Sequence, residues 1–135
     1  MAKTKTGELI VKDKNKNEIA SLDLFLGENI IGRISGEQIA QDTLLQDRFL
    51  SREHFIVDVE KDSYDRTRFF LRDNRSSNGT WLKHHKNGTV RKLEEKDSLE
   101  LSGEDTILGG ETYFVLKIDA LPTDSRKDQK TRIVT

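Results

Sequence analysis

The sequence contains no cysteine and only one proline in its 135 residues. Without thiols the chain can form neither disulfides nor thiolate metal sites, which suits a reducing, cytoplasmic setting. No apolar run approaches the roughly 20 residues that a membrane-spanning helix needs, and the N-terminus leads into no signal-peptide core. We therefore expect a soluble, intracellular protein with no membrane partner, in the cytoplasm or, in a eukaryote, the nucleus.

An excess of either charge is also missing. The chain carries 23 Lys and Arg against 24 Asp and Glu, a formal net charge of −1. Because proteins that bind a nucleic acid duplex usually carry a basic excess, nucleic acid is not an expected partner. Apolar residues make up 33% of the chain and charged residues 35%, which is typical of one domain with a heavily solvated surface.

What the sequence does contain is a series of short apolar runs. In residues 55–60, Phe55, Val57 and Val59 alternate with Ile56, Asp58 and Glu60, which gives one apolar face with the period of a strand. Polar turns such as residues 13–17 recur at a spacing of roughly 8–12 residues. The pattern predicts an all-β fold, an antiparallel β-sandwich with few or no helices. Phe55 and Trp81 are expected in its core, and residues 43–45 are expected to form a short strand.

The apolar runs also indicate where the domain begins and ends. We expect residues 8–118 to form the sandwich domain and residues 1–7 to form a flexible N-terminus. Pro122 stops the last strand, and the mostly polar segment 119–135 is expected to be a disordered tail.

Three polar loops adjoin apolar runs and carry hydrogen-bond donors: Gly32-Arg33, Ser51-Arg52-Glu53-His54 and residues 76–80. In a sandwich the loops gather at two ends, so distant turns can converge. The planar guanidinium of an arginine binds two phosphate oxygens at once, and hydroxyls and main-chain amides can complete the cradle. The loops therefore predict an anion site, most simply for phosphate.

Each motif also has an ordinary structural explanation when it is taken alone. A Gly-Arg pair is usually a surface turn, and His54 precedes an apolar strand, where a histidine that bonds loop backbone is expected. His84 and His85 are adjacent in a hairpin and point to opposite faces, so no metal or cofactor is expected. Ser51 and His54 lack a third residue and an oxyanion signature, so the protein is not expected to be an enzyme.

Taken together and in order, Ile31-Gly32-Arg33, Ser51-Arg52-x-His54 and Ser76-Ser77-Asn78-Gly79-Thr80 resemble the signature of the forkhead-associated (FHA) domain family. The resemblance extends from about Glu8 to Ile118 and implies an eleven-stranded sandwich that recognises phosphothreonine in partner proteins. By position, the residues implied to bind phosphate are Arg33, Ser51, Arg52 and Ser77. Asn78 is implied to contact the peptide main chain. The residues expected to shape the loops are Gly32, His54 and Gly79.

The resemblance also implies how ligands are selected. Family members choose peptides mainly by the residue three positions after the phosphothreonine. Phe49, Arg75 and Lys83 are candidates for lining that pocket in this sequence. One departure from the family pattern is Lys96-Asp97, which stands where a Gly-Asp pair is usual.

The implied function is reversible docking in Ser/Thr kinase signalling, with phosphothreonine-containing proteins as partners, either substrates of a kinase or the kinase itself. The alternative is a scaffold or oligomerisation domain that uses the same sandwich without phosphate. Phosphorylated Thr131 or Thr135 could also occupy the site in cis or in a second molecule. An inert tail is the simpler interpretation.

Overall fold

The computed structural model describes residues 4–33 and 47–119. Within these ranges the chain forms ten strands and no helix. The described part of the chain therefore contains no helix that could span a membrane. The strands are β1 (Lys5–Lys12), β2 (Glu18–Phe25), β3 (Gly27–Ile31), β4 (Phe55–Lys61), β5 (Thr67–Asp73), β6 (Thr80–Lys83), β7 (Val90–Lys92), β8 (Leu99–Leu101), β9 (Thr106–Gly109) and β10 (Thr112–Ile118).

The strands form two antiparallel sheets. One has six strands in the order β2-β1-β10-β9-β6-β7, and the other has four in the order β3-β4-β5-β8. The prediction of an all-β antiparallel sandwich is confirmed. The additional strand expected at residues 43–45 lies outside the described residues.

The core lies between the inner faces of the two sheets. In β4 the alternation predicted from the sequence is observed, because Phe55, Val57 and Val59 are all buried on the inner face. Phe55 meets Phe114 of the other sheet edge to face, with ring centroids 5.0 Å apart. Such aromatic contacts add to the free energy gained by burial and join the two sheets near the loop end.

The expectation that Trp81 belongs to the core was wrong. In β6 the buried positions are Thr80 and Leu82, while Trp81 lies half-buried on the outer face. Lys92 covers its ring, with the ammonium nitrogen 5.3 Å from the ring centroid. A large apolar side chain can therefore sit outside the core when a cation and its aliphatic stem pack over it.

The N-terminal boundary differs from the expected one. β1 begins at Lys5, so residues 5–7 belong to the six-stranded sheet and not to a flexible segment. Thr6 is buried, and its hydroxyl donates a hydrogen bond of 3.0 Å to the Leu24 carbonyl. This side-chain contact helps to hold β1 against β2 near the end of the pair. Residues 120–135 of the expected tail lie outside the described residues.

The strand order brings several connections to one end of the sandwich. β3 ends and β4 begins at this end, as the Ile31–Phe55 pair shows. β5 ends there and β6 begins there, and Thr80 pairs with Gly109 at the start of the β9–β10 turn. The three loops singled out in the sequence therefore meet at one end, together with the β9–β10 turn.

Candidate functional site

The Gly32-Arg33 turn lies directly against the loop that contains Ser51. A β-carbon at Gly32 would lie 2.2 Å from the Arg52 carbonyl oxygen, so no other residue fits without moving the backbone. The Arg33 amide donates a 3.1 Å hydrogen bond to the Ser51 carbonyl. Arg33 is therefore held at the junction of the two loops.

The Arg33 guanidinium carries an unused donor. Its Nε is buried and has no hydrogen-bond acceptor among the residues that the structure describes. A buried donor without an acceptor costs about 1–3 kcal/mol, and such groups are rare in folded proteins. An anion bound at this position would supply the missing acceptor.

The Ser51 hydroxyl lies between two of the loops. Its oxygen accepts a 3.0 Å hydrogen bond from the Ser77 amide. Because the oxygen serves as acceptor in this contact, the hydroxyl hydrogen remains available to a further acceptor. Ser77 itself is exposed. The structure thus brings Arg33, Ser51 and Ser77 to one place, as the sequence predicted.

His54 is fully buried behind this group of donors. Its Nδ1 accepts a 2.9 Å hydrogen bond from the Ser51 amide, and its Nε2 lies 2.7 Å from the Gly79 carbonyl oxygen. The two contacts define the tautomer, because Nε2 must carry the proton that it donates to a carbonyl. Both ring nitrogens are engaged with backbone, and neither contacts the Ser51 hydroxyl, so the two residues do not form a nucleophile–base pair.

The Asn78 loop, residues 74–79, is shaped by a carboxylate that the sequence analysis missed. Asp73 accepts hydrogen bonds from the Ser76 hydroxyl (2.6 Å), the Ser76 amide (3.1 Å) and the Thr80 hydroxyl. Burial of Asp73 raises its pKa, but these hydrogen bonds outweigh burial, and the pKa lies below its ordinary value of 3.8. An Asp followed three residues later by Ser is a local turn signal that could have identified this contact.

A second carboxylate fixes the Ser51 loop, residues 47–54. Asp47 is buried and accepts hydrogen bonds from the Phe49 amide (3.1 Å), the Glu111 amide (2.9 Å) and the Thr112 hydroxyl. It thereby joins the Ser51 loop to the β9–β10 turn. No local sequence pattern predicts this role of Asp47, because two of the three donors lie more than sixty residues further along the chain.

The remaining predicted site residues are only partly brought together. Asn78 donates a 2.9 Å hydrogen bond from Nδ2 to the Phe49 carbonyl, so its side chain bridges the two loops. Arg52 is exposed, and its side chain makes no hydrogen bond or ion pair with other described residues. Gly79 adopts a φ of 90°, the left-handed region that glycine tolerates.

The three residues suggested for ligand selection occupy different places. Phe49 is 43% exposed and lies beside Asn78 at the site. Arg75 is exposed on the Asn78 loop with a φ of 56°. Lys83 pairs with Thr106 and Val90 at the far end of β6, away from the loops of the site.

Within residues 4–33 and 47–119, no group of three or more His, Asp or Glu side chains is arranged to hold a metal ion. An antiparallel sandwich that brings three donor-bearing loops to one end is the kind of rigid scaffold on which loops commonly carry a binding site. The family model of the FHA domain matches residues 29–102, more than half of the chain. The chain belongs to the FHA domain family, whose members are binding modules.

Solved structures show the same fold, whereas no curated protein matches the chain in sequence. The FHA domain of CT664 from Chlamydia trachomatis is 28% identical, covering 85% of this chain and 99% of that one, with a TM-score of 0.61. A structure from a study of phosphothreonine-dependent FHA domain interactions is 25% identical over 86% and 99% of the two chains, with a TM-score of 0.56. The FhaA FHA domain, complexed with the intracellular domain of Rv3910, is 24% identical over 82% and 99%, with a TM-score of 0.54.

We predict that His54→Ala destabilises the fold. The substitution leaves the Ser51 amide and the Gly79 carbonyl without their partner, and each such loss costs about 1–3 kcal/mol. We expect the free energy of unfolding, measured with urea, to fall by about 3 kcal/mol. His85→Ala is the matched control, because that side chain is exposed and the change should stay within about 0.5 kcal/mol. Equal effects of the two substitutions would contradict the bridging role of His54.

The lowered pKa of Asp73 predicts a pH-dependent contribution to stability. A carboxylate whose pKa is lower in the folded state stabilises the fold above its unfolded pKa, and this contribution disappears as the pH falls through the folded pKa. The advantage of wild type over Asp73→Asn in the free energy of unfolding should therefore be largest near pH 6 and shrink below about pH 4. Urea unfolding across this range measures the difference. An advantage that does not change with pH would show that the carboxylate charge is not what stabilises the loop.

Proposed function

We propose that this chain is a phosphopeptide-binding module that recognises phosphothreonine in partner proteins. The observation that carries the proposal is the buried Arg33 Nε, which has no acceptor among the described residues. The Arg33 amide bonds the Ser51 carbonyl, and the Ser51 hydroxyl in turn accepts a hydrogen bond from the Ser77 amide, so the three residues belong to adjoining loops. A phosphate dianion offers several acceptors and two negative charges, which this set of donors would satisfy. A neutral ligand would leave the arginine charge uncompensated.

The proposed roles follow from position. Arg33 supplies the bidentate contact, and Arg52 adds a second positive charge from the exposed side of the loop. Ser51 donates its free hydroxyl hydrogen, and the exposed Ser77 adds a further hydroxyl. Each charge-assisted hydrogen bond contributes about 1.5–3 kcal/mol. Three or four of them, less the cost of association, correspond to roughly micromolar binding, which suits reversible docking.

Asn78 is proposed to bind the peptide main chain. Its Nδ2 uses one hydrogen for the Phe49 carbonyl. The second amide hydrogen and the side-chain oxygen remain for a carbonyl and an N–H of an extended peptide. The existing contact keeps the amide in a defined orientation, which lowers the entropy lost on binding.

Phosphothreonine is proposed as the preferred residue over phosphoserine. The two differ by one methyl group, and burial of one methyl contributes about 0.8 kcal/mol, a preference of about fourfold from that term alone. A structural relative studied for phosphothreonine-dependent interactions, 25% identical to this chain, supports the choice.

We place this binding in the cytoplasm, as reversible docking to substrates of a Ser/Thr kinase or to the kinase itself. The alternative is a scaffold that uses the sandwich without phosphate. Such a scaffold needs no buried arginine donor without an acceptor, so the unpaired Nε of Arg33 favours the phosphate-dependent function.

Arg33→Ala should remove most of the phosphate-dependent binding, by about 100-fold or more, because two charge-assisted hydrogen bonds are lost. Arg33→Lys should recover little of it, since an ammonium cannot form the bidentate contact. Fluorescence titration with a phosphothreonine peptide library, with phosphoserine and unphosphorylated controls, measures both.

Arg66→Ala is the matched control for Arg33, because Arg66 lies at the opposite end of the sandwich and pairs with Asp62. It should bind as wild type. His54→Ala should differ from Arg33→Ala by losing stability as well as binding. Equal affinity for phosphorylated and unphosphorylated peptides would reject the proposed function, and wild-type affinity in Arg33→Ala would reject the role of that residue.

We also propose that the site can bind the chain's own tail once Thr131 is phosphorylated. Thr131 is followed three residues later by the aliphatic Val134, and Arg126 and Lys130 precede it in the sequence by five residues and by one. Size-exclusion chromatography of the Thr131-phosphorylated protein should show a concentration-dependent dimer that Arg33→Ala abolishes. A monomer at all concentrations, without shifts of Arg33-loop resonances, would exclude both the intermolecular and the cis version.

A further inference from the structure

A cleft of about 910 Å³ lies on the side of the Asn78 loop that faces β7 and the β7–β8 connection. Ser77 and Asn78 form part of its wall, so the cleft adjoins the proposed phosphate site. Its other walls carry Arg75, Lys92 and Lys96. We call it the basic cleft.

Among the described residues, no carboxylate pairs with the three cations of the basic cleft. Arg75, Lys92 and Lys96 are exposed, and none of them forms an ion pair with the residues that the structure describes. Glu95 is the one exposed carboxylate among the residues that line the cleft. The cleft therefore presents an excess of positive charge to solvent.

Other charged groups in the wall of the cleft are already used by the fold. Arg72 pairs with Asp58 and Glu28, each at 2.7 Å. Asp73 accepts its hydrogen bonds from Ser76 and Thr80. The unpaired charges are thus those that point away from the sandwich, where a ligand can reach them.

Two of the three cations are also held in position. Arg75 has a φ of 56°, a left-handed conformation that is unfavourable for a side chain larger than glycine and is often found at ligand sites. The Lys92 ammonium lies 5.3 Å from the Trp81 ring centroid, and a β-carbon at Gly79 would lie 2.8 Å from Lys92 Cε. The lysine stem therefore packs between Trp81 and the Asn78 loop and covers the outward-facing ring.

We propose that the basic cleft is a second anion subsite, which binds an acidic or second phosphorylated side chain of the same peptide. The inference rests on the proposed function of the neighbouring site. An extended peptide advances about 3.3 Å per residue, and the cleft shares Ser77 and Asn78 with the phosphate site, so a residue that flanks the phosphothreonine can place its side chain in the cleft. The ligand class is a phosphothreonine peptide with a flanking anionic residue.

The test is a positional scan of one phosphothreonine peptide with neutral flanking residues. Asp, Glu or phosphoserine replaces one residue at a time, within four positions on either side, and fluorescence anisotropy gives each Kd. We expect one or two neighbouring positions at which an acidic residue tightens binding about 3–10-fold, an effect that shrinks as salt rises. A benefit from phosphoserine without one from Asp or Glu identifies phosphate as the anion, whereas similar benefits identify charge alone.

The measured quantity in the variants is the ratio of the Kd of the neutral peptide to that of the acidic peptide. In a triple variant that combines Lys92→Gln, Lys96→Gln and Arg75→Gln, this ratio should fall to about one. The single substitutions should reduce it in part. Lys86→Gln is the matched control, since Lys86 is an exposed lysine in the β6–β7 hairpin at the other end of β6, and it should keep the wild-type ratio.

The outcomes separate this inference from the proposed function. If phosphothreonine peptides bind but no acidic position helps, or if the benefit survives in the triple variant, the second subsite is rejected and the phosphothreonine site stands. If no phosphothreonine peptide binds at all, both are rejected. If the Kd ratio also falls to about one in Lys86→Gln, the effect is due to the overall charge of the protein, and the subsite is rejected.

Discussion

One buried imidazole holds together the loops on which the site depends. His54 accepts a hydrogen bond from the Ser51 amide and donates one to the Gly79 carbonyl, while its own amide bonds the Ile31 carbonyl. A neutral imidazole offers one donor and one acceptor on a rigid ring, so it sets both the distance and the orientation between the loops. The site geometry therefore depends on a side chain that lies behind the site.

Two carboxylates complete this frame without opposing an anion. Asp73 and Asp47 lie close to loops that are proposed to bind phosphate, where a free negative charge would weaken binding. Each carboxylate instead accepts hydrogen bonds from amides and hydroxyls of those loops. Their charge is thereby spread over internal donors and stabilises the loop conformation. Neither carboxylate is left as a free negative charge beside the donors of Arg33 and Ser51.

The charges of this nearly neutral protein are unevenly distributed between the two ends of the sandwich. At the β4–β5 turn the cations are paired, as in Arg66 with Asp62 and Lys61 with Asp65. At the loop end, Arg52 and Arg75 have no ion-pair partner among the described residues. A net charge of −1 therefore coexists with unpaired cations at the loop end, which can attract an anionic ligand over about a Debye length.

The sequence predicts the strand class, the positions of the turns and the loops that carry Arg33, Ser51 and Ser77, because period-two alternation and turn chemistry are local. It did not determine that Trp81 lies outside the core, since alternation separates two faces of a strand without saying which one is buried. It also could not reveal the role of Asp47 or the basic cleft. Those depend on residues far apart in the chain, which only the order and register of the strands bring into contact.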